Sequence, residues 1–213
     1  MPFARLLAAI APPLCVSCGA ACRVHDPLCS SCRRGLRWLA AEQDGGAAVE
    51  AWAAVGYEGP ARALVGALKF RGAVRLADAM AAQMAANAPP GLLDGVTLVP
   101  VPLHRARRRR RGFNQAEQLA RALAARSELR VSDCLERARG SARASQVGRG
   151  RNERLSALVG SVRLREGAPV PLRALLVDDV VTTGATLDAC AAALARAGVR
   201  DIRAIVYART PGR

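Results

Sequence analysis

The sequence predicts an α/β fold, a mostly parallel sheet flanked by helices, joined to a small cysteine-rich module at its N-terminus. Two observations carry this. From Ala51 onward, strand-like and helix-like apolar patterns alternate, as βα units do. Five of the seven cysteines lie within the first forty residues. A length of 213 residues suits one α/β domain with a small appendage.

Each element has a local reason. Ala61–Phe70 and Arg75–Asn87 read as helices, the second broken by Pro89, Pro90 and Gly91. Val96–Val101 reads as a buried strand and His104–Gly112 as a basic loop. Asn114–Arg126 reads as a helix capped by Asn114, with Glu117 placed for a capping box. Gly140–Gly150 is small, polar and basic, and is expected to be mobile. Ala174–Val177 is a second buried strand. Thr186–Ala197 is a helix with Leu187, Cys190, Ala191 and Leu194 on one face, ended by Gly198. Ile202–Ala208 is a last strand.

Composition narrows the setting. Half the residues, 51%, are hydrophobic and only 3% are aromatic, so the core is built from Ala, Leu and Val. No apolar run is long enough to span a bilayer. The short run Leu6–Ile10 is followed by Pro12, Pro13 and Leu14 before Cys15, with no small-residue cleavage site. An amphipathic lead-in to the cysteine module and a cytoplasmic location are therefore expected, with thiols kept reduced. The formal charge is +15, and Lys69 is the one lysine among 32 basic residues. Such a charge suits an anionic partner, nucleic acid or polyphosphate. A G+C-rich coding bias, which raises Ala, Arg and Gly together, accounts for it equally well.

Cys15-x2-Cys18 and Cys29-x2-Cys32 are two pairs separated by ten residues. Each pair can turn both thiolates toward one metal, and two pairs complete a tetrahedral S4 site suited to zinc. Gly19 supplies the permissive backbone after the first pair. Cys22 and His25 lie between the pairs as further candidates. A closed S4 site has no open position, so the zinc would be structural. Cys134 and Cys190 read as buried apolar residues. The polar, Gly-containing link Glu42–Ala48 suggests a zinc-ribbon-like module over 1–45 and an α/β domain over 46–213.

Leu175–Thr186 carries the most information. A buried strand ends at Asp178 and Asp179, and a loop of Thr182, Thr183, Gly184, Ala185 and Thr186 opens the next helix. Loop N–H groups and hydroxyls at the positive end of a helix form a phosphate cradle. Two acids beside it would repel unless they meet hydroxyls or a cation. Upstream, Leu98-Val-Pro-Val-Pro-Leu103 leads into Arg105 and Arg107–Arg111, then Gly112-Phe-Asn-Gln115. Pro100 and Pro102 force an extended exit from the strand. Neighbouring guanidiniums repel, so some should meet an anion.

The segment D-D-V-V-T-T-G-A-T resembles the 5-phosphoribosyl-1-diphosphate (PRPP) motif of type I phosphoribosyltransferases. Taken with P-V-P-L, R-R-G-F-N-Q-A, Leu68-Lys-Phe-Arg-Gly72, Ser145-Gln-Val-Gly148 and the cysteine pairs, the whole chain resembles the ComF family of competence-associated, phosphoribosyltransferase-like proteins. The resemblance implies a type I phosphoribosyltransferase fold. It implies that Asp178 and Asp179 meet the ribose hydroxyls directly or through Mg²⁺, and that Thr182–Thr186 bind the 5′-phosphate. Pro100, Val101, Pro102, Arg105, Arg107, Arg108, Lys69 and Arg71 would face diphosphate or another polyanion. Gln146 and Arg154 match a further family pattern, whereas Arg149, Ala157 and Val162 depart from it. Thr182 stands where 6-oxopurine salvage enzymes tend to carry an acid, which argues against that activity.

Two functions follow as expectations. One is an enzyme that transfers ribose 5-phosphate from PRPP to an acceptor. The other is a non-catalytic sensor of PRPP or a nucleotide that also binds single-stranded DNA, with competence or DNA-processing proteins as expected partners. The scarcity of aromatics leaves little for base stacking, so charge would carry strand binding.

Overall fold

The computed structural model describes residues 13–24, 26–39, 48–70, 74–138 and 160–211. In chain order the elements are α1 (Ser30–Arg34), β1 (Ala51–Gly56), α2 (Gly59–Leu68), α3 (Val74–Asn87), β2 (Thr97–Pro100), α4 (Arg105–Arg111), α5 (Gln115–Ser127), β3 (Arg130–Val131), β4 (Leu135–Arg137), β5 (Val162–Leu164), β6 (Arg173–Val181), α6 (Ala185–Arg196) and β7 (Asp201–Arg209). Five strands form one sheet in the order β1-β7-β6-β2-β3, every pair parallel. β4 and β5 form a separate antiparallel pair.

Period-two alternation gives the sheet two buried faces. Leu175 and Val177 of β6, with Ile205 and Tyr207 of β7, pack into one core with Leu64 of α2, Met80 of α3 and Leu119 of α5. Leu176 of β6 and Val206 of β7 point the other way, onto Leu187, Cys190 and Leu194 of α6. Ala191, expected on that face, is only partly buried.

The predicted helices and central strands form where expected, within a few residues. Asn114 caps α5 by accepting from Ala116 N at 3.2 Å. Glu117 does not close the capping box; it pairs with Arg121 one turn on, at 2.6 Å. Gly198 takes φ +91 just beyond α6, the left-handed turn expected of a helix stop. The segment read as a basic loop is instead the helix α4. Arginine is a good helix former, His104 Nδ1 accepts from Ala106 N at 3.3 Å, and Gly112 closes the end at φ +79. The strand expected to stop at Val177 runs on to Val181, because β7 pairs with it as far as Val181↔Arg209. The antiparallel β4–β5 pair carries no sequence signal strong enough to predict.

The described part of the cysteine segment packs on the edge strand β1. Trp38 bridges Val55, Leu39 N donates to Ala54 O at 3.1 Å, and Gly56 N donates to Arg37 O at 2.9 Å. Leu28 and Leu36 share the core of Trp52 and Leu64. The module thus covers backbone groups that an edge strand would leave open. A side-chain carbon at Gly56 would collide with the Arg37 guanidinium, which pairs with Glu58. The link at 42–47, the stretch 140–150 and the N-terminal lead-in before Pro13 lie outside the described residues. Among the described residues, no helix is long and apolar enough to cross a membrane.

Candidate functional site

The acid pair sits where the sheet splits. The β2–β6 ladder ends at Pro100↔Val177, with a last bond from Val101 N to Val177 O at 3.0 Å. β6 stays paired with β7 for four more residues while the chain after β2 turns away. The two strands part at Asp178, and a cleft of about 340 Å³ opens between them. This is the carboxyl end of parallel strands, where α/β sheets accept ligands.

Asp178 and Asp179 both line the cleft. Asp178 accepts a hydrogen bond from Asp179 N at 2.8 Å. Burial, and then the neighbouring Asp179 charge, push the Asp178 carboxyl well above the usual carboxylate range; Arg137 pulls it down to a lesser degree. Asp179 is 6% exposed, and its Oδ2 has no hydrogen-bond partner among the described residues. Lys69 Nζ stands 3.7 Å from that oxygen, at ion-pair distance. A buried carboxylate oxygen with only a distant ammonium for company fits a hydroxyl or a hard divalent cation.

The cradle follows directly. Gly184 is the N-cap of α6 at φ +78, and Thr183 Oγ1 accepts from Ala185 N at 3.5 Å. Thr182 and Thr186 line the cleft. Thr183, Gly184 and Ala185 are not among the lining residues, but the open N–H groups of the first turn of α6 begin beside the cleft.

Of the residues expected to meet diphosphate, Lys69, Val101, Pro102 and Arg107 line the cleft. Pro100, Arg105 and Arg108 do not; Arg105 reaches Glu136 at 3.9 Å. Arg71 lies outside the described residues. Position along α4 decides this: His104, Arg107 and Arg111 line the cleft, whereas Arg108, Arg109 and Arg110, exposed like Arg107, do not.

Sequence reasoning included Arg111 in the arginine run without singling it out, and missed other residues of the cleft. Arg111 faces it and donates to Gln115 Oε1 at 3.1 Å. Asn114, besides capping α5, donates from Nδ2 to Val101 O at 3.0 Å, so one buried amide ties the strand exit to the helix. Tyr57 and Arg137 also line it. Arg137 donates from Nε to Pro102 O at 3.2 Å and from Nη1 to Ser161 Oγ at 3.1 Å. The R-G-F-N-Q run pointed to Asn114 and Gln115 without assigning them; Arg137 had no local signal. A larger groove of about 560 Å³ beside β3 holds neither the acid pair nor the cradle.

The second candidate centre is the cysteine cluster. The Sγ atoms of Cys15, Cys18, Cys29 and Cys32 all lie within 4.8 Å of one another, and Cys18 and Cys29 are 3.7 Å apart. A tetrahedral zinc with Zn–S of about 2.3 Å needs sulfurs about 3.8 Å apart. Gly19 takes φ +75 after the first pair, as its knuckle requires. Burial raises the Cys15 thiol, but N–H groups of Cys29, Cys18 and Ser17 outweigh that and bring it to about 6, favouring the thiolate a metal needs. Cys22 is not one of the four, although it lies beside Cys15; its thiol donates to Ala20 O at 3.5 Å. His25 lies outside the described residues. The four cysteines could therefore hold a zinc ion.

Comparison with known proteins bears on the α/β part of the chain. A family model described as "Phosphoribosyl transferase domain" matches residues 57–213. The chain is 33% identical over 111 residues to "Competence protein ComFC" of Streptococcus pneumoniae. The match covers 52% of this chain and 47% of that protein, so the chain spans about half the length of the curated relative it matches.

Proposed function

Because the chain belongs to the phosphoribosyl transferase domain family, we propose that its cleft binds PRPP and transfers ribose 5-phosphate to a nucleophilic acceptor. One observation carries the reading: two carboxylates, one with a buried unsatisfied oxygen, lead straight into a glycine-opened helix N-terminus. Thr182–Thr186 would hold the 5′-phosphate, and Asp178 and Asp179 the ribose hydroxyls. Lys69, Arg107 and the Val101–Pro102 segment would face the diphosphate.

In the transfer, the acceptor's lone pair forms a bond to the anomeric carbon. The bond from that carbon to the diphosphate oxygen breaks, and its electron pair leaves with diphosphate; the acceptor's proton goes to solvent. Positive charge develops at the anomeric carbon, so the protein's task is positioning and neutralisation. Mg²⁺ held by Asp178, Asp179 and PRPP itself would neutralise charge on the diphosphate. His104 Nδ1 is committed to the Ala106 N–H, which leaves Nε2 as a donor toward the cleft rather than a base.

Zinc at the four cysteines would be structural, and a reducing, cytoplasmic setting suits its thiolates. A competence role rests on the likeness to ComFC. The exposed Arg108–Arg110 favour a second activity, charge-based binding of single-stranded DNA beside the cleft, whether or not the cleft turns over.

Calorimetric titration with PRPP and Mg²⁺ tests the reading. Asp179→Asn should weaken PRPP at least tenfold and inorganic phosphate far less, because a charge-assisted contact is worth roughly 1.5–3 kcal/mol. Gly184→Val should weaken both, since its φ of +78 is strained for valine. If neither variant shifts PRPP affinity by that factor, the site assignment is wrong.

A further inference from the structure

Arg137 sits on β4, outside the acid pair, the threonine loop and the arginine helix. Two of its N–H groups are engaged, by Pro102 O and Ser161 Oγ, and both acceptors are neutral. Other partly buried arginines are treated differently: Arg165 has Asp133 at 3.0 Å and Arg203 has Asp201 at 3.4 Å. Arg137 makes no ion pair among the described residues, yet it lines the cleft. Its remaining N–H groups take no partner there.

The cleft's charge does not balance without a ligand. Lys69, Arg107, Arg111 and Arg137 face Asp178 and Asp179, four cations against two carboxylates. Arg137 differs from the other three in its anchoring. Lys69 is a flexible stem, and Arg107 and Arg111 ride on α4. Arg137 is a planar fork clamped to the carbonyl of the very loop that lines the cleft at Val101 and Pro102.

Building on the PRPP reading above, we propose that Arg137 is a diphosphate-binding residue that also sets the Val101–Leu103 loop: its free N–H groups take the leaving diphosphate while Nε holds Pro102 O. A guanidinium already fixed at two points loses little freedom on meeting an anion, so its contact is preorganised. The separate β4–β5 pair would then be part of the ligand site.

The test compares inorganic diphosphate, ribose 5-phosphate and PRPP, each with Mg²⁺, by calorimetry on the full chain. Arg137→Ala should lose at least tenfold for diphosphate and PRPP and stay within twofold for ribose 5-phosphate. A purely structural role would weaken all three together. Should the alanine variant not fold, Arg137→Lys carries the test: it keeps the charge without the fork and should lose at least threefold for diphosphate and PRPP but not for ribose 5-phosphate. Unchanged diphosphate affinity, or equal loss for ribose 5-phosphate, overturns the assignment while leaving PRPP binding by the native chain intact. If the native chain binds neither PRPP nor diphosphate, the transferase reading falls and this assignment with it.

Discussion

Lys69 Nζ lies 3.7 Å from Asp179 Oδ2, and Asp179 N donates to Asp178 at 2.8 Å, so the lone lysine serves one acid while the other is left crowded. Burial and that neighbour raise the Asp178 carboxyl. A carboxyl with a raised native pKa keeps its proton longer in the folded chain than in the unfolded one. Its ionisation therefore costs stability as pH rises from the ordinary carboxylate range through the native value, and the cost is fully present above it. Asp178→Asn should thus raise the Tm of the ligand-free protein at pH 7, and the gain should shrink as pH falls toward 4. Melting curves across that range check it; a gain that is constant with pH, or absent, would show that Asp178 ionises without penalty.

Metal analysis of protein purified without added metal should find one zinc per chain. Cys29→Ser should lose it, and Cys22→Ser should keep it, because Cys22 stands outside the sulfur cluster. Leu28 and Leu36 join the sheet's core, so removing the metal should also lower the Tm by several degrees. Full occupancy and stability in Cys29→Ser would exclude the S4 site.

The two sides of α4 should separate in binding assays. Arg107→Gln should weaken diphosphate and PRPP, because Arg107 lines the cleft. Arg108, Arg109 and Arg110 changed together to Gln should leave diphosphate affinity alone but flatten the salt dependence of single-stranded DNA binding. Three lost phosphate contacts correspond to a slope change of about 2 in log–log terms. An unchanged slope would make the outer arginines a solvated face.

Asn114→Ala removes an N-cap and the bond to Val101 O in one step. Denaturant unfolding should show a loss of about 1–2 kcal/mol. Asn114→Asp keeps the cap acceptor but not the donor, so it should recover helix stability while still loosening the strand exit. A ligand-affinity defect that persists in Asn114→Asp would isolate the contribution of that exit.

Sequence alone determined what is contiguous. The β6–loop–α6 run was legible because a strand, a positive-φ glycine and a helix start are local preferences within about a dozen residues. The clustering of the four cysteines was legible for the same reason: spacing within a pair dictates where its thiolates turn. Tertiary structure decided what converges from afar. Position along α4 put Arg107 and Arg111 on the cleft and left Arg108 off it, which a run of identical residues cannot announce. The length of β6 depended on its pairing with β7, and the cleft itself on β2 parting from β6 beyond Val177. Arg137 reached the site only because β4 pairs with β5 and lies against the Pro102 loop, 35 residues upstream. Such positions are set by long-range packing, which no local pattern encodes.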